Sequence, residues 1–439
     1  MTSTQLVFDS AAAHAAWIDQ QSALPQGFRV GSQQFDFVPV EVGTAAKMTV
    51  NVLALDQPTE SFAAVFTRNA FPGAPVIIGR DRLKEAQLAA VVINNKISNV
   101  CAPDGVAASE QVCAAAASAL GIEPEQVLPS STGVIGWQLP VADLSNALPL
   151  AVQNMQAESI APLASGIMTT DLYPKVRSIE LGGGRIVGVA KGAGMIEPNL
   201  ATMLVYLVTD ITIDRVAIRR ALQAAVSPSF NAMSIDSDQS TSDTVVVMSS
   251  NKINGVDEAD FTAALTQVCR DLAEDLVRNG EGVRHVIEVS VTGAPDETVA
   301  REVGKAVVNS PLVKTAIAGN DANVGRIVMA IGDWLGNHRP DLSPAAATLH
   351  IGEHQVLADG VFQLNPKTEQ ALHQILLSAE LYPSGQPNDS GVFEPALRYP
   401  PHEKVVPIIL DLKLGDASAT VVGADLTHHY VSENADYRS

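Results

Sequence analysis

The run ATMLVYLVTDITI, residues 201–213, limits what this chain can become more than any other stretch. It is too apolar and too rich in β-branched residues for a surface loop, so it reads as a core strand beginning at Thr202. The segment behind it, IDRVAIRRALQAAV, has helical spacing. The same pairing recurs along the chain. FDFVPVEVG, KMTVNVLALD, FAAVFTRNAFPGAPVIIG and AAVVINN read as strands, and GVAASEQVCAAAASALG as an alanine-rich helix closed by Gly121. QVLPSSTGVIG is a strand ending in a small-residue turn, where backbone N–H groups can point outward. In the second half, DTVVVMSS, VRHVIEVSVTG, VVPIILDL and ATVVGADL are strands. Phe261, Leu265, Val268, Leu272 and Leu276 fall at helical spacing, and ETVAREVGKAVVNSPLVKTAIAG is helical up to its Asn-Ser-Pro break. Residues 1–25 form a peripheral helix and lead-in, and 382–398 is the most loop-like stretch. Strands and helices alternate throughout, which defines an α/β protein.

The 439 residues suggest two or three domains, or one large two-part α/β unit. With 46% hydrophobic residues the chain can bury a substantial core. A formal charge of −20 argues against nucleic acid and anionic membranes as partners, while leaving room for a small anionic substrate held by local lysines or arginines. Cys101, Cys113 and Cys269 make neither a disulfide framework nor a CxxC site and fit a reducing compartment. The N-terminus lacks the basic region of a signal peptide, and no apolar span of about 18 residues appears, so a cytoplasmic location is expected.

The familiar cofactor and metal patterns are missing. Gly182, Gly183 and Gly184 do not form GxGxxG and read as a tight turn. HIGEH at 350–354 is not HExxH and sits in an expected strand, and His428 and His429 are adjacent, so on a strand they would face opposite ways. No metal and no cofactor are expected. Hydroxyls remain. A threonine is a poor nucleophile near neutral pH unless a base assists it, and one solution is to make it the first residue of a chain, whose own α-amine has a pKa near ~8. An internal Thr202 would reach that state if its hydroxyl attacked the carbonyl of Ala201 and water hydrolysed the ester. The residues alone do not single this threonine out.

A resemblance does. KGAGMIEPNLATML (191–204) resembles the signature KGxGMIxPNMATML of the ornithine acetyltransferase family, which moves an acetyl group from N-acetylornithine to glutamate in arginine biosynthesis. PSSTGVIG (129–136), IMTTDLYPK (167–175), SFNAMSIDSDQSTSDTV (229–245), GEG (280–282), SPLVKTAIAGNDANVGRI (310–327) and DLTHHYVSENADYRS (425–439) resemble further family segments in order and approximate spacing. The resemblance implies an aminopeptidase/ornithine-acetyltransferase type α/β fold with chemistry like that of the N-terminal-nucleophile enzymes. It implies cleavage between Ala201 and Thr202 into an α chain, 1–201, and a β chain, 202–439, that stay together as a homo-oligomer of such pairs. Carried over by the same resemblance, Thr202 is the nucleophile, Thr132 and Gly133 the oxyanion-hole pair, and Glu281 the active-site glutamate. Thr169 or Thr170, Lys191, Asn434 and Ser439 are the substrate contacts. The partners implied are an N-acyl amino acid and an amino-acid acceptor.

The chain departs from the family pattern at residues that would shape the pocket. Lys96 stands where the family has glycine and Ile97 where it has asparagine. Val324 replaces a tryptophan, Asn320 occupies a position where an acid is frequent, and Glu433 replaces a usual apolar residue. Lys96, Ile97, Val324 and Glu433 are therefore the candidates for specificity. Three readings stay open at this point: an acyltransferase on the ornithine/glutamate pair or another pair, an amidohydrolase using the same threonine, and a non-enzymatic or uncleaved relative.

Overall fold

The structure is a computed structural model, and it describes residues 6–8, 10–197, 203–382, 399 and 401–435. Its centre is the strand Leu204–Ile211. Every residue of that strand is buried, because it lies inside a five-stranded sheet covered on both faces. It pairs antiparallel with Gly184–Lys191 and parallel with Thr244–Ile253; Lys175–Leu181 and Phe62–Phe66 form the sheet's edges. The alternation of side chains then assigns the two faces. Leu204, Tyr206 and Val208 meet a second sheet, while Val205 and Leu207 meet helices.

That second sheet has four strands: Phe28–Phe37, Ala46–Thr59, Leu88–Asn94 and Val127–Ser131. Val30, Leu53, Val91 and Leu128 face the first sheet in one shared core. The Tyr206 hydroxyl crosses that interface to Ser130 Oγ at 2.7 Å, which satisfies a polar group that would otherwise be stranded there. The outer face of the four-stranded sheet is covered by Gly105–Leu120 and Val141–Gln153, through Val112, Ala116, Leu144 and Leu148. The outer face of the five-stranded sheet is covered by Arg215–Val226 and Glu258–Arg278. The result is four layers, helix–sheet–sheet–helix. A third, seven-stranded sheet, with Val286–Ala294 and Ala417–Ala424 among its strands, is packed by the helices Glu297–Asn309, Val324–His338 and Pro366–Ala379.

The α/β expectation is met, and all five residues read at helical spacing between Phe261 and Leu276 are buried. Four local expectations are corrected. FDFVPVEVG is only the end of a strand: Pro39 brings no N–H, its carbonyl accepts from Val42 and Gly43, and the chain turns, leaving Val38, Val40 and Val42 exposed. APVIIG is not strand but the helix Ala74–Arg82, where Pro75 suits the first turn. There Gly79 lets the ring of Phe66 come to 2.7 Å of where a Cβ would stand. HIGEH spans a hairpin, its halves in Thr348–Ile351 and His354–Ala358 around Gly352 at φ +58°. His428 and His429 open the helix His428–Ala435, in which His429 reaches Glu433 one turn on, at 2.9 Å.

The five-stranded sheet takes strands from both sides of residue 202, so the two parts of the chain are interleaved. A buried ion cluster ties them further. Arg177 grips Asp275 with two bonds of 2.7 Å, His402 reaches the same carboxylate at 2.7 Å, and the guanidinium lies 4.7 Å from the Trp17 ring. Among the described residues no helix is long and apolar enough to cross a membrane.

Candidate active site

The strand Gly184–Lys191 ends where Lys191 pairs with Leu204, and the loop that follows runs back along SIDSDQS. Asp236 fixes that loop: its two carboxylate oxygens accept from Met195 N–H at 2.6 Å and Ile196 N–H at 2.7 Å, while Met195 adopts φ +56°. Residues 198–202 lie outside the described residues, and with them Ala201 and Thr202, the expected cleavage site and nucleophile. Met203, the next residue, lines a small cavity with Thr132, Lys191, Gly194, Ser242 and Asp243.

The oxyanion expectation at Thr132 and Gly133 becomes more specific. Thr132 N–H is spent on the Asn94 carbonyl at 3.0 Å, extending the strand pairing. Its hydroxyl is left as the donor that an oxyanion could use. The Gly133 N–H donates to no acceptor among the described residues. Gly133 sits at φ +132°, and a Cβ there would run into the Lys96 carbonyl and come within 2.6 Å of Ile97 N. Asn94 braces the same turn, accepting from Ser131 Oγ at 2.6 Å and donating to the Ile97 carbonyl at 2.8 Å.

A second cavity adjoins the first. Glu281 accepts from the Thr170 hydroxyl at 2.8 Å and from Asn434 Nδ2 at 3.0 Å, and Glu433 lines the same wall. Burial raises the Glu281 carboxyl above its usual range, against the pull of the Thr170 and Asn434 bonds; Glu433 and Asp236 push it the same way as burial. Gly282, at φ +62°, admits the backbone of Tyr430, whose Cα would be 2.8 Å from a Cβ there, and so seats the C-terminal helix over Glu281. Gly194 lies where the two cavities meet: it lines the first, and a Cβ on it would lie 2.6 Å from Glu281 Cδ in the second. Gly194→Ala is expected to displace the Glu281 carboxylate from Thr170 and Asn434. Under the active-site role that the resemblance implies for Glu281, turnover should fall at least ~10-fold, a fraction of what a positioned acid–base group contributes, with the melting temperature little changed. Unchanged kinetics would mean that the Glu281 side chain tolerates the shift.

Of the two candidate threonines, Thr170 reaches Glu281; Thr169 instead donates its N–H to Asp171 at 3.1 Å. Asp171 also accepts from Gly192 N–H at 2.8 Å and pairs with buried Lys175 at 2.6 Å, so one carboxylate joins both cavity rims. Burial alone would raise its pKa, but the charges of Lys175 and Lys191, with the bonds from Lys175 and Gly192, bring it down to about 2. Three specificity candidates, Lys96, Ile97 and Val324, line neither of these two cavities. Val324 begins the helix Val324–His338 with its side chain in the core of the seven-stranded sheet, and Ile97 is buried in the core outside the four-stranded sheet. Lys96 is exposed beside Gly133. Asn320 belongs to a separate polar cluster, donating to Glu380 at 2.5 Å and bonding His285 at 3.1 Å. Ser439 lies outside the described residues. No group of three potential metal ligands occurs among the described residues. A larger cleft of about 1160 Å³, bordered by Arg270, Glu288, Arg301 and Thr420, holds none of the nominated residues.

Asp171, Gly194, Asp236 and Asp243 were not nominated from sequence. Each lies in a segment that resembles the family, but its importance comes from what the folding brings opposite it.

Comparisons with known proteins agree with one another. The profile of the ArgJ family matches residues 36–439. The arginine biosynthesis bifunctional protein ArgJ 2 of Clostridium acetobutylicum is 36% identical over 379 residues, 86% of this chain and 90% of that protein. Glutamate N-acetyltransferase Oat2 of Streptomyces clavuligerus is 35% identical over 424 residues, 95% of this chain and 99% of its own length. A crystal structure of an ArgJ protein from Bacillus halodurans aligns at 33% identity and TM-score 0.44, covering 53% of this chain and 98% of that one. A profile match across nearly the whole length, with relatives above 30% identity over most of theirs, leaves one assignment: the chain belongs to the ArgJ family.

Proposed function

We propose that the chain cleaves itself between Ala201 and Thr202 and then transfers an acetyl group from N-acetylornithine to glutamate through an ester on Thr202. The observation that carries this is the adjoining pair of cavities. One has Thr132, Lys191 and Met203 on its wall, the other Glu281 held by Thr170 and Asn434, and Gly194 stands between them. The name of the Streptomyces relative, a glutamate N-acetyltransferase, supports the same reaction class.

In this reading Thr202 Oγ attacks the donor's amide carbonyl and its proton passes to the free α-amine. The oxyanion is met by the Thr132 hydroxyl and the Gly133 N–H, two donors fixed before the reaction starts. Lys191 faces the substrate carboxylate. Glu281, with its raised pKa, carries the proton to the departing amine and takes one from the incoming amine. Because the two amines use one site in turn, the kinetics are ping-pong. Glu433 on the Glu281 wall and Lys96 beside Gly133 would tune which amino acids fit. The exposed Lys96 is the observation that favours a different acyl donor or acceptor as the second reading.

Intact mass on a denatured sample tests cleavage: two polypeptides meeting at Ala201/Thr202 are expected, and one uncut chain from Thr202→Ala. A single wild-type chain would sink the proposal. Incubation with N-acetylornithine, with and without glutamate, tests the reaction. Ornithine should appear together with N-acetylglutamate. Release of ornithine that ignores the acceptor would mean hydrolysis, and no turnover in either mixture would mean another substrate pair.

A further inference from the structure

Asp243 is a buried carboxyl to which the mechanism above gives no work. The strand Thr244–Ile253 runs parallel to Leu204–Ile211 with Thr244 opposite Leu204, and Thr244 N–H donates to the Met203 carbonyl at 2.9 Å. The register therefore puts Asp243 at the head of its strand, beside the residue that follows the proposed nucleophile. Its backbone is pinned, since its carbonyl accepts from Thr67 N–H at 3.0 Å. The side chain is 2% exposed, and its Oδ2 has no hydrogen-bond partner among the described residues. A buried carboxylate oxygen without a partner is costly to keep.

Its neighbours narrow the use it can have. Asp243 lines the cavity that also holds Thr132, Lys191 and Met203. Glu281, in the adjoining cavity, has each of its oxygens bonded, one to Thr170 and one to Asn434. The two carboxyls therefore serve different sides of Gly194. Burial pushes the Asp243 carboxyl well above the usual range, although the Ser240 hydroxyl, the Lys191 charge and the Thr67 hydroxyl all pull it down. Burial thus favours the protonated form of Asp243 over the carboxylate.

We propose that Asp243 is the proton-transfer residue of self-cleavage, a task separate from that of Glu281 in acyl transfer; this rests on cleavage before Thr202. In the step, the bond from Thr202 Oγ to the Ala201 carbonyl carbon forms and the peptide C–N bond breaks. Asp243 gives its proton to the leaving nitrogen and takes the Oγ–H proton in return, so no net proton is consumed. Water then adds to the ester and the C–Oγ bond breaks. Ala201 is left as a carboxylic acid, which ionises, and Thr202 as a free hydroxyl with a free amine that takes up the proton.

The test is to purify freshly expressed full-length chains and follow the two-chain fraction with time, by intact mass, across a pH series. Asp243→Asn should slow cleavage ~100-fold or more, the lower end of what a positioned acid–base group contributes. Glu281→Gln should cleave at the wild-type rate while losing transfer. Asp243→Glu, with an unchanged melting temperature, should restore part of the cleavage rate with its pH profile displaced. Asp243→Asn cleaving as fast as wild type overturns the proposal while leaving the cleavage reading intact. Glu281→Gln blocking cleavage equally, or a folded Asp243→Glu behaving like Asp243→Asn at every pH, also overturns it. A wild-type chain that never cuts overturns the cleavage reading itself, and this inference with it.

Discussion

Gly133→Ala should give a protein that is both markedly destabilised and nearly inactive. The residue holds φ +132°, where any side chain is strained, and a Cβ would meet the Lys96–Ile97 peptide rather than a movable side chain. That peptide cannot step aside cheaply. Lys96 O accepts from Val134 N–H at 2.9 Å, Ser98 N–H donates to Val134 O at 3.0 Å, and Asn94 holds the Ile97 carbonyl. Backbone strain of about 1–3 kcal/mol adds to an overpacking cost of about 1–3 kcal/mol. In the oxyanion role proposed for Gly133, moving its N–H would cost about 10²–10³ in kcat. Urea unfolding and steady-state transfer measure the two effects separately. A variant with wild-type midpoint and turnover would show that the turn relaxes freely.

Asp275→Ala should cost about 3–5 kcal/mol, the scale of removing one partner from a buried ion pair. Arg177 would lose two bonds and His402 one, all in a region closed to water. Burial acts to raise the Asp275 carboxyl, but the Arg177 guanidinium and its bonds, followed by His402, hold it well below the ordinary 3.8. The sign of the pH dependence follows. A folded-state pKa below the unfolded one means that the unfolded chain binds more protons, so this stabilisation is complete above the ordinary carboxylate range and is lost as pH falls through the folded value. Denaturant midpoints taken across the acid range should therefore fall less steeply in Asp275→Ala than in wild type, from a lower plateau. A loss under ~1 kcal/mol would place the pair with ordinary surface bridges.

The strand Leu204–Ile211 was legible because burial on both faces writes a continuous apolar run into the sequence, and Gly121 was legible because it ends its helix at φ +72°. VPVEV and APVIIG misled because short apolar runs look alike in strand, turn and helix until Pro39 and Pro75 are given their backbone consequences. The site divides in the same way. Thr132, Gly133, Lys191 and Glu281 came from resemblance, since no spacing rule links residues that only folding brings together. Asp243 and Gly194 were out of reach, because the first matters through a parallel register and the second through the carboxylate facing its missing Cβ.

The interleaved five-stranded sheet has a consequence for the protein's life history. Unfolding an intact chain can be undone by that chain alone. With the backbone cut at residue 202, as proposed, strands on opposite sides of the break would belong to separate molecules. Recovery then becomes a second-order encounter whose yield depends on concentration. A protein cut in this way would fold once, as a single polymer, and afterwards persist by the height of its unfolding barrier.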